Sequence, residues 1–127
     1  DEIYAASSMR GPDSSSPVRC KLVGWWQGSR SDALAKELYG DSNGSHATAS
    51  EVSLAQHYHP EAIKHAQMSP KVAPKSKGFF DSADYRRRFP DGRIGSDPSL
   101  SSPEHGARIY EAAVVGMVEV YQAFMAD

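Results

Sequence analysis

His46 and Glu51 are the residues in this sequence whose types and spacing suggest chemistry. They lie in GSHATASEVSLAQHYHPE, which runs from Gly44 to Glu61, where a helix is expected to begin. An imidazole and a carboxylate projecting from a helix start can both ligate zinc or manganese. Alternatively, the glutamate binds metal and the histidine carries a proton, a task that its ordinary pKa of about 6.5 suits. Two side chains cannot close a metal site, so further ligands would have to come from elsewhere. A structural reading competes with this one. Thr48-Ala49-Ser50-Glu51 matches a capping box, in which the threonine hydroxyl and the glutamate carboxylate satisfy free backbone donors at the helix start. His46 would then be an exposed loop residue.

The elements that must position these residues are few. Residues 1–8 read as the last turns of a helix, followed by the polar, proline-bearing loop RGPDSSSP. Residues 18–26, VRCKLVGWW, alternate and are rich in β-formers, which predicts a strand. SDALAKELYG predicts a short amphipathic helix with Ser31 or Asp32 as cap and Gly40 as stop. The site helix is expected over 48–59, with a break at His59–Pro60 and a further turn in PEAIKHA. Residues 67–101 form a long loop in which SADYRRRF has the pattern of one or two helical turns. The final helix, 102–126, is the clearest element: Ser102 caps it, Pro103 opens it, and Glu104 suits its positive end. Ile109, Ala113, Met117, Val120 and Phe124 recur along it at helical spacing.

A lone strand cannot satisfy its own backbone groups. An irregular segment of this length is also unusual inside a compact domain. With the opening helix end, these features imply that the chain completes a sheet supplied by another polypeptide.

The residues SHATASEVSLAQHYHPEAI resemble the creatininase (creatinine amidohydrolase) family. That family carries a His-Ala/Gly-x-x-x-Glu-Thr-Ser segment, a Leu-rich helix and a His/Tyr-Pro-Glu, matched here by His46, Ala47, Glu51, Val52, Ser53, Leu54 and His59-Pro60-Glu61. KLVGWW resembles the preceding family strand that ends in tryptophan, PDGRIGSDPSLSSPEHGARIYEAAVVGMVE its closing segment, and DEIYA the end of the helix after its Asn-Gly-His motif. The resemblance covers nearly the whole chain as the carboxy-terminal half of the family's length.

The resemblance implies an α/β fold: one domain over 1–127 forming the carboxy-terminal part of a three-layer α/β/α creatininase-like structure completed by another chain. It implies a metalloamidohydrolase that cuts a C–N amide bond with metal-activated water. The cofactors would be two divalent ions per complete site, zinc, manganese or iron. Glu51 matches a ligand of one metal, and His46 a catalytic residue implicated in proton transfer. Trp25, Trp26, Ser42, Asn43, Gly44 and Ser45 are the matching substrate-contact positions. The other family ligands belong to a Glu-x-His, an Asp and an Asn-Gly-His in the amino-terminal half, with no counterpart here. The expected partners are therefore a complementary amino-terminal chain, a small amide substrate and further copies in a higher oligomer, a hexamer in the family. Two departures stand out. Val52 replaces the usual threonine, and Ser42 occupies the place of a tryptophan found in creatininase itself, which argues against creatinine as substrate. The rival readings are a non-catalytic assembly subunit and a small binding module.

The remaining features narrow the field. The formal net charge of −2 lacks the basic surface that nucleic acid or an anionic membrane requires. No apolar run approaches the ~18 residues of a membrane span. The single cysteine, Cys20, cannot form an internal disulfide, which fits a reducing, cytoplasmic setting, and it reads as a core residue. His57 and His59 are two apart on a helix and point different ways, so one is expected to pack and the other to face solvent. His65 and His105 read as surface residues. Arg86, Arg87 and Arg88 suit an intersubunit ion-pair patch better than a phosphate site. Trp25 and Trp26 at a strand end would face opposite sides, one core and one pocket.

Overall fold

The computed structural model describes residues 21–126. The predicted helix end over 1–8, residues 18–20 of the predicted strand and Cys20 fall outside that range. Four helices lie within it: α1 Ser29–Tyr39, α2 Ala49–Tyr58, α3 Ser82–Arg88 and α4 Pro103–Ala126. Single turns of 3-10 helix occur at Trp25–Gln27, Gly40–Asn43, Pro60–Ala62 and Pro98–Leu100.

The predicted strand 18–26 is corrected: Trp25–Gln27 is a helical turn, and no strand occurs among the described residues. A strand exists only as part of a ladder, and nothing here offers 21–26 a second edge. The sheet of the expected α/β layers is accordingly absent from the described residues. The cap of α1 is also corrected. Gly28 is the N-cap, while the Ser31 hydroxyl turns back to the carbonyls of Trp25, at 2.6 Å, and Gly28, at 3.1 Å. Gly40, at φ 52°, ends the helix.

The core sits where α1, α2 and α4 meet. Ala35, Tyr39, Ala49 and Ile109 are its buried members, and Trp25, Leu34, Leu38 and Leu54 pack around them. The buried stripe of α4, Gly106, Ile109, Ala113 and Gly116, follows the three-and-four spacing of one helical face. Its small residues admit close neighbours. A Cβ on Gly106 would lie 2.1 Å from the backbone carbonyl oxygen of Ser53, so α4 and α2 touch backbone to backbone.

Ser53 is fully buried, and its hydroxyl joins three helices. It shares a hydrogen bond with the Tyr39 hydroxyl of α1 at 2.7 Å and accepts the Ser102 amide, just before α4, at 3.2 Å. Burial pushes the Tyr39 phenol above its ordinary pKa, against the opposing effect of Ser53. The residue therefore stays neutral at physiological pH.

The opposite face of α4 is uncovered. Tyr110, Val114, Val118 and Tyr121 are all exposed, and with Trp25, Leu54 and Tyr58 they line an apolar groove of about 850 Å³ between α2 and α4. By length and composition alone α4 could cross a membrane, its most apolar 18-residue stretch having a mean hydropathy of 1.2. The apolar residues are interrupted by Glu111 and Glu119, so no continuous apolar run appears, as expected from the sequence. Its buried stripe packs against α1 and α2.

The long loop is structured without ladders. Arg93, only 4% exposed, donates to the carbonyls of Pro70 (2.7 Å), Lys71 (2.9 Å) and Ser96 (3.4 Å) and to the Asp91 carboxylate (2.8 Å). Residues 94–97 then lie between two neighbours. On one side Ala73 donates to Ser96 and Gly95 donates to Pro74; on the other, the segment meets residues 42–46.

The Gly106 contact yields an expectation of definite sign. Helix propensity alone would make Gly106→Ala stabilising by about 1 kcal/mol. The carbonyl it would strike cannot yield without parting the helices, so the net effect is a loss of about 1–3 kcal/mol in urea unfolding. A stabilised variant would show that α2 and α4 do not touch there.

Candidate functional site

The site is organised by the start of α2. Thr48 holds extended backbone (φ −68°, ψ 154°), and its hydroxyl accepts the Glu51 amide at 3.1 Å. Glu51 Oε2 in turn accepts the Thr48 amide at 2.9 Å and the Thr48 hydroxyl at 3.0 Å. The capping box is thus formed. It occupies one carboxylate oxygen and leaves Oε1 without a hydrogen-bond partner among the described residues. Capping and ligation by Glu51 are therefore compatible, one oxygen for each.

The loop before α2 is fixed from both sides. The Asn43 side-chain oxygen accepts the Ser50 amide at 3.0 Å, docking the Gly40–Asn43 turn on the first turn of α2. Gly44 has φ 77°, and a Cβ there would strike the Ser96 amide nitrogen at 2.5 Å. Only glycine meets both demands. Ser45 donates to Ile94 at 2.9 Å, Ile94 donates to His46 at 3.2 Å, and the Ser96 hydroxyl donates to the His46 carbonyl at 3.1 Å. His46 and Ile94 form the one isolated antiparallel bridge among the described residues. Ala47 follows at φ 49°, a left-handed conformation costly for a residue with a side chain, and turns the chain from that bridge into the cap.

These restraints build a cleft of about 410 Å³. Six of the residues expected at the site meet on its walls: Trp25, Trp26, Asn43, Gly44, Ser45 and Glu51. The tryptophans do not face opposite sides of a strand. They sit edge to face with centroids 5.8 Å apart on the 3-10 turn, and both reach the cleft. Trp25 also packs on the core, whereas Trp26 is 58% exposed. Ser42 and His46 are not among the wall residues. The Ser42 carbonyl accepts the Asp97 amide at 2.8 Å, and the His46 ring is exposed, with no hydrogen bond or ion pair to a described residue. Asp32 and Thr48 also line the cleft, although sequence offered them only as caps. Their place depends on the packing of α1 against α2, which no local spacing reveals.

The described residues contain no group of three His, Cys, Asp or Glu side chains close enough to hold a metal ion. The free oxygen of Glu51 is a suitable hard donor, but it does not make a metal centre. Asp32, the other carboxylate on the wall, is paired with Lys36 at 2.7 Å.

The matching family model, described as creatinine amidohydrolase, extends over residues 2–121, nearly the whole chain. This chain belongs to the creatininase family. A comparison with curated proteins gave no match. Creatininase membership carries the general expectation of an amide-cleaving hydrolase.

The other candidates resolve differently. His57 is half-buried with its ring near Tyr58 and Tyr110, and His59 is exposed beside Glu61 at 3.3 Å. His105 is not a surface residue: its Nδ1 is buried without a partner, and its ring meets Tyr39. Arg87 and Arg88 both pair with the buried Asp84 carboxylate of their own helix, α3. Neither is free for phosphate, and the pairing is internal to the subunit.

The Arg93 staple has a pH signature. Its hydrogen bond to Asp91 is the main reason that the Asp91 carboxyl lies below the usual range. A depressed folded pKa gives stability that is complete above the unfolded value of about 3.9 and is lost as pH falls through the folded value. Unfolding midpoints should therefore fall from about pH 5 to about pH 2, and Asp91→Asn should remove part of that slope. An unchanged slope in the variant would show that the Asp91–Arg93 pair does not contribute.

Proposed function

We propose that this chain is the carboxy-terminal half of a creatininase-like, metal-dependent amidohydrolase, active once a complementary amino-terminal chain docks on it. The observation that carries this reading is the cleft in which a tryptophan pair, the Asn43–Ser45 turn and a half-free Glu51 carboxylate converge. The apolar groove and the uncovered face of α4 support it, because they offer a docking area for the missing layer.

The geometry supports the following roles. Thr48 fixes Glu51 through Oε2, which holds Oε1 in one orientation as a ligand for a metal whose other ligands the complementary chain supplies. A divalent ion held there by Glu51 and the complementary chain's ligands would supply an activated water for amide hydrolysis. Trp25 and Trp26 exclude water and bound the substrate, and Asn43, Gly44 and Ser45 form its polar wall. His46 is the proton carrier, with the docking chain extending the cleft to its exposed ring. Zinc, manganese and iron all suit a carboxylate- and imidazole-rich site. A cytoplasmic, hexameric enzyme acting on a small amide other than creatinine completes the proposal.

The second reading is a non-catalytic assembly subunit. It is favoured by one fact: Glu51 already has a complete structural role in the capping box. Glu51→Gln separates the two, because glutamine also serves at this capping position. In the complex with its complementary chain, the variant should fold normally, hold at least tenfold less metal by elemental analysis, and lose about 100-fold or more in turnover. Normal metal content and turnover would eliminate the catalytic role of Glu51.

A further inference from the structure

A second hollow, of about 400 Å³, adjoins the cleft and shares Asp32, Ala35, Asn43, Gly44 and Ser45 with it. Four charges line it. On α1, Lys36 pairs with Asp32 at 2.7 Å; across the hollow, Lys75 of the long loop pairs with Asp41 of the Gly40–Asn43 turn at 2.9 Å. The position of Lys75 is built in. The Gly95 amide donates to the carbonyl of Pro74, and the Lys75 stem lies over Gly95, where a Cβ would come within 3.5 Å of its Cγ.

The charges cancel, and that selects the ligand. A simple anion drawn to the two ammonium groups also meets two carboxylates, and a simple cation meets the reverse. A group carrying both signs a few ångströms apart can satisfy both sets. All four side chains are largely exposed, so their pairs contribute little and exchange readily for a ligand. The hydrogen bond from Lys75 holds the Asp41 carboxyl below the ordinary carboxylate range. The volume lies within the ordinary range of small-molecule sites.

We infer that this hollow is a subsite for a zwitterionic group, an ammonium and a carboxylate together as at the free end of an amino acid. Resting on the amidohydrolase reading, the inference names the substrate class: an amide whose bond lies in the tryptophan-lined cleft and whose far end is amino-acid-like.

The test titrates the full chain with glycine, acetate and methylammonium, followed by amide chemical shifts. Glycine should shift Gly44, Ser45 and Lys75 with a dissociation constant about 5-fold or more below that of either singly charged probe. Lys75→Ala, at an exposed position that leaves the fold intact, should remove about 2- to 5-fold of that preference. Acetate binding as well as glycine, shifts located elsewhere, or an unchanged preference in Lys75→Ala would overturn the subsite. The Glu51→Gln chain should bind glycine as the parent does. If its complex also keeps full turnover, the amidohydrolase role of Glu51 falls while the glycine titration still decides the subsite.

Discussion

The contact between Gly106 and the Ser53 carbonyl governs this structure. It brings two helix backbones closer than any side chain would permit, and the Ser53 hydroxyl then reaches Tyr39 of α1 and the amide that opens α4. Van der Waals contact and a satisfied buried hydroxyl act together there. The hydroxyl matters because a buried polar group left unpaired would cost about 1–3 kcal/mol. With α2 fixed on both neighbours, its first turn has one direction. Thr48, Ser50 and Glu51 point where they do because Ser53, on the same helix, is locked.

A second set of restraints works through carbonyls instead of ladders. Arg93 gathers the carbonyls of Pro70, Lys71 and Ser96 with one planar guanidinium, whose several donors in a fixed fork suit such a role. That makes residues 94–97 a rigid edge for the Gly44–His46 turn. The long loop thus backs the turn that lines the site, and it borders the adjoining hollow through Lys75. Irregular backbone can be as well determined as a strand when buried side chains take the place of the missing ladder.

The same economy appears at Glu51. One oxygen completes the helix start, and the other has no hydrogen-bond partner among the described residues. A role in folding and a role in chemistry usually compete as explanations of one residue; at Glu51 the folding role takes only one of the two oxygens. The hydrogen bonds to Thr48 restrict the rotamers of the Glu51 side chain.

The sequence by itself determined the local features. The Thr48–Glu51 capping box, the extent of α4 and the burial of Ile109 and Ala113 follow from short-range spacing and backbone donors that must be satisfied within a turn, whereas Met117, Val120 and Phe124 are only half-buried and Gly106 and Gly116 take their place in the stripe. The family could be read from the His46-to-Glu61 pattern for the same reason, because residue order is local information. The tertiary structure alone decided the rest. It made Trp25–Gln27 a helical turn, because a β-propensity without a neighbouring edge has no ladder to enter. It put Asp32 on the wall of the cleft, buried Nδ1 of His105, and paired Arg87 and Arg88 with Asp84. It drew Lys75 across 34 residues to Asp41. Those outcomes depend on which surfaces meet, and packing between distant segments has no period along the chain.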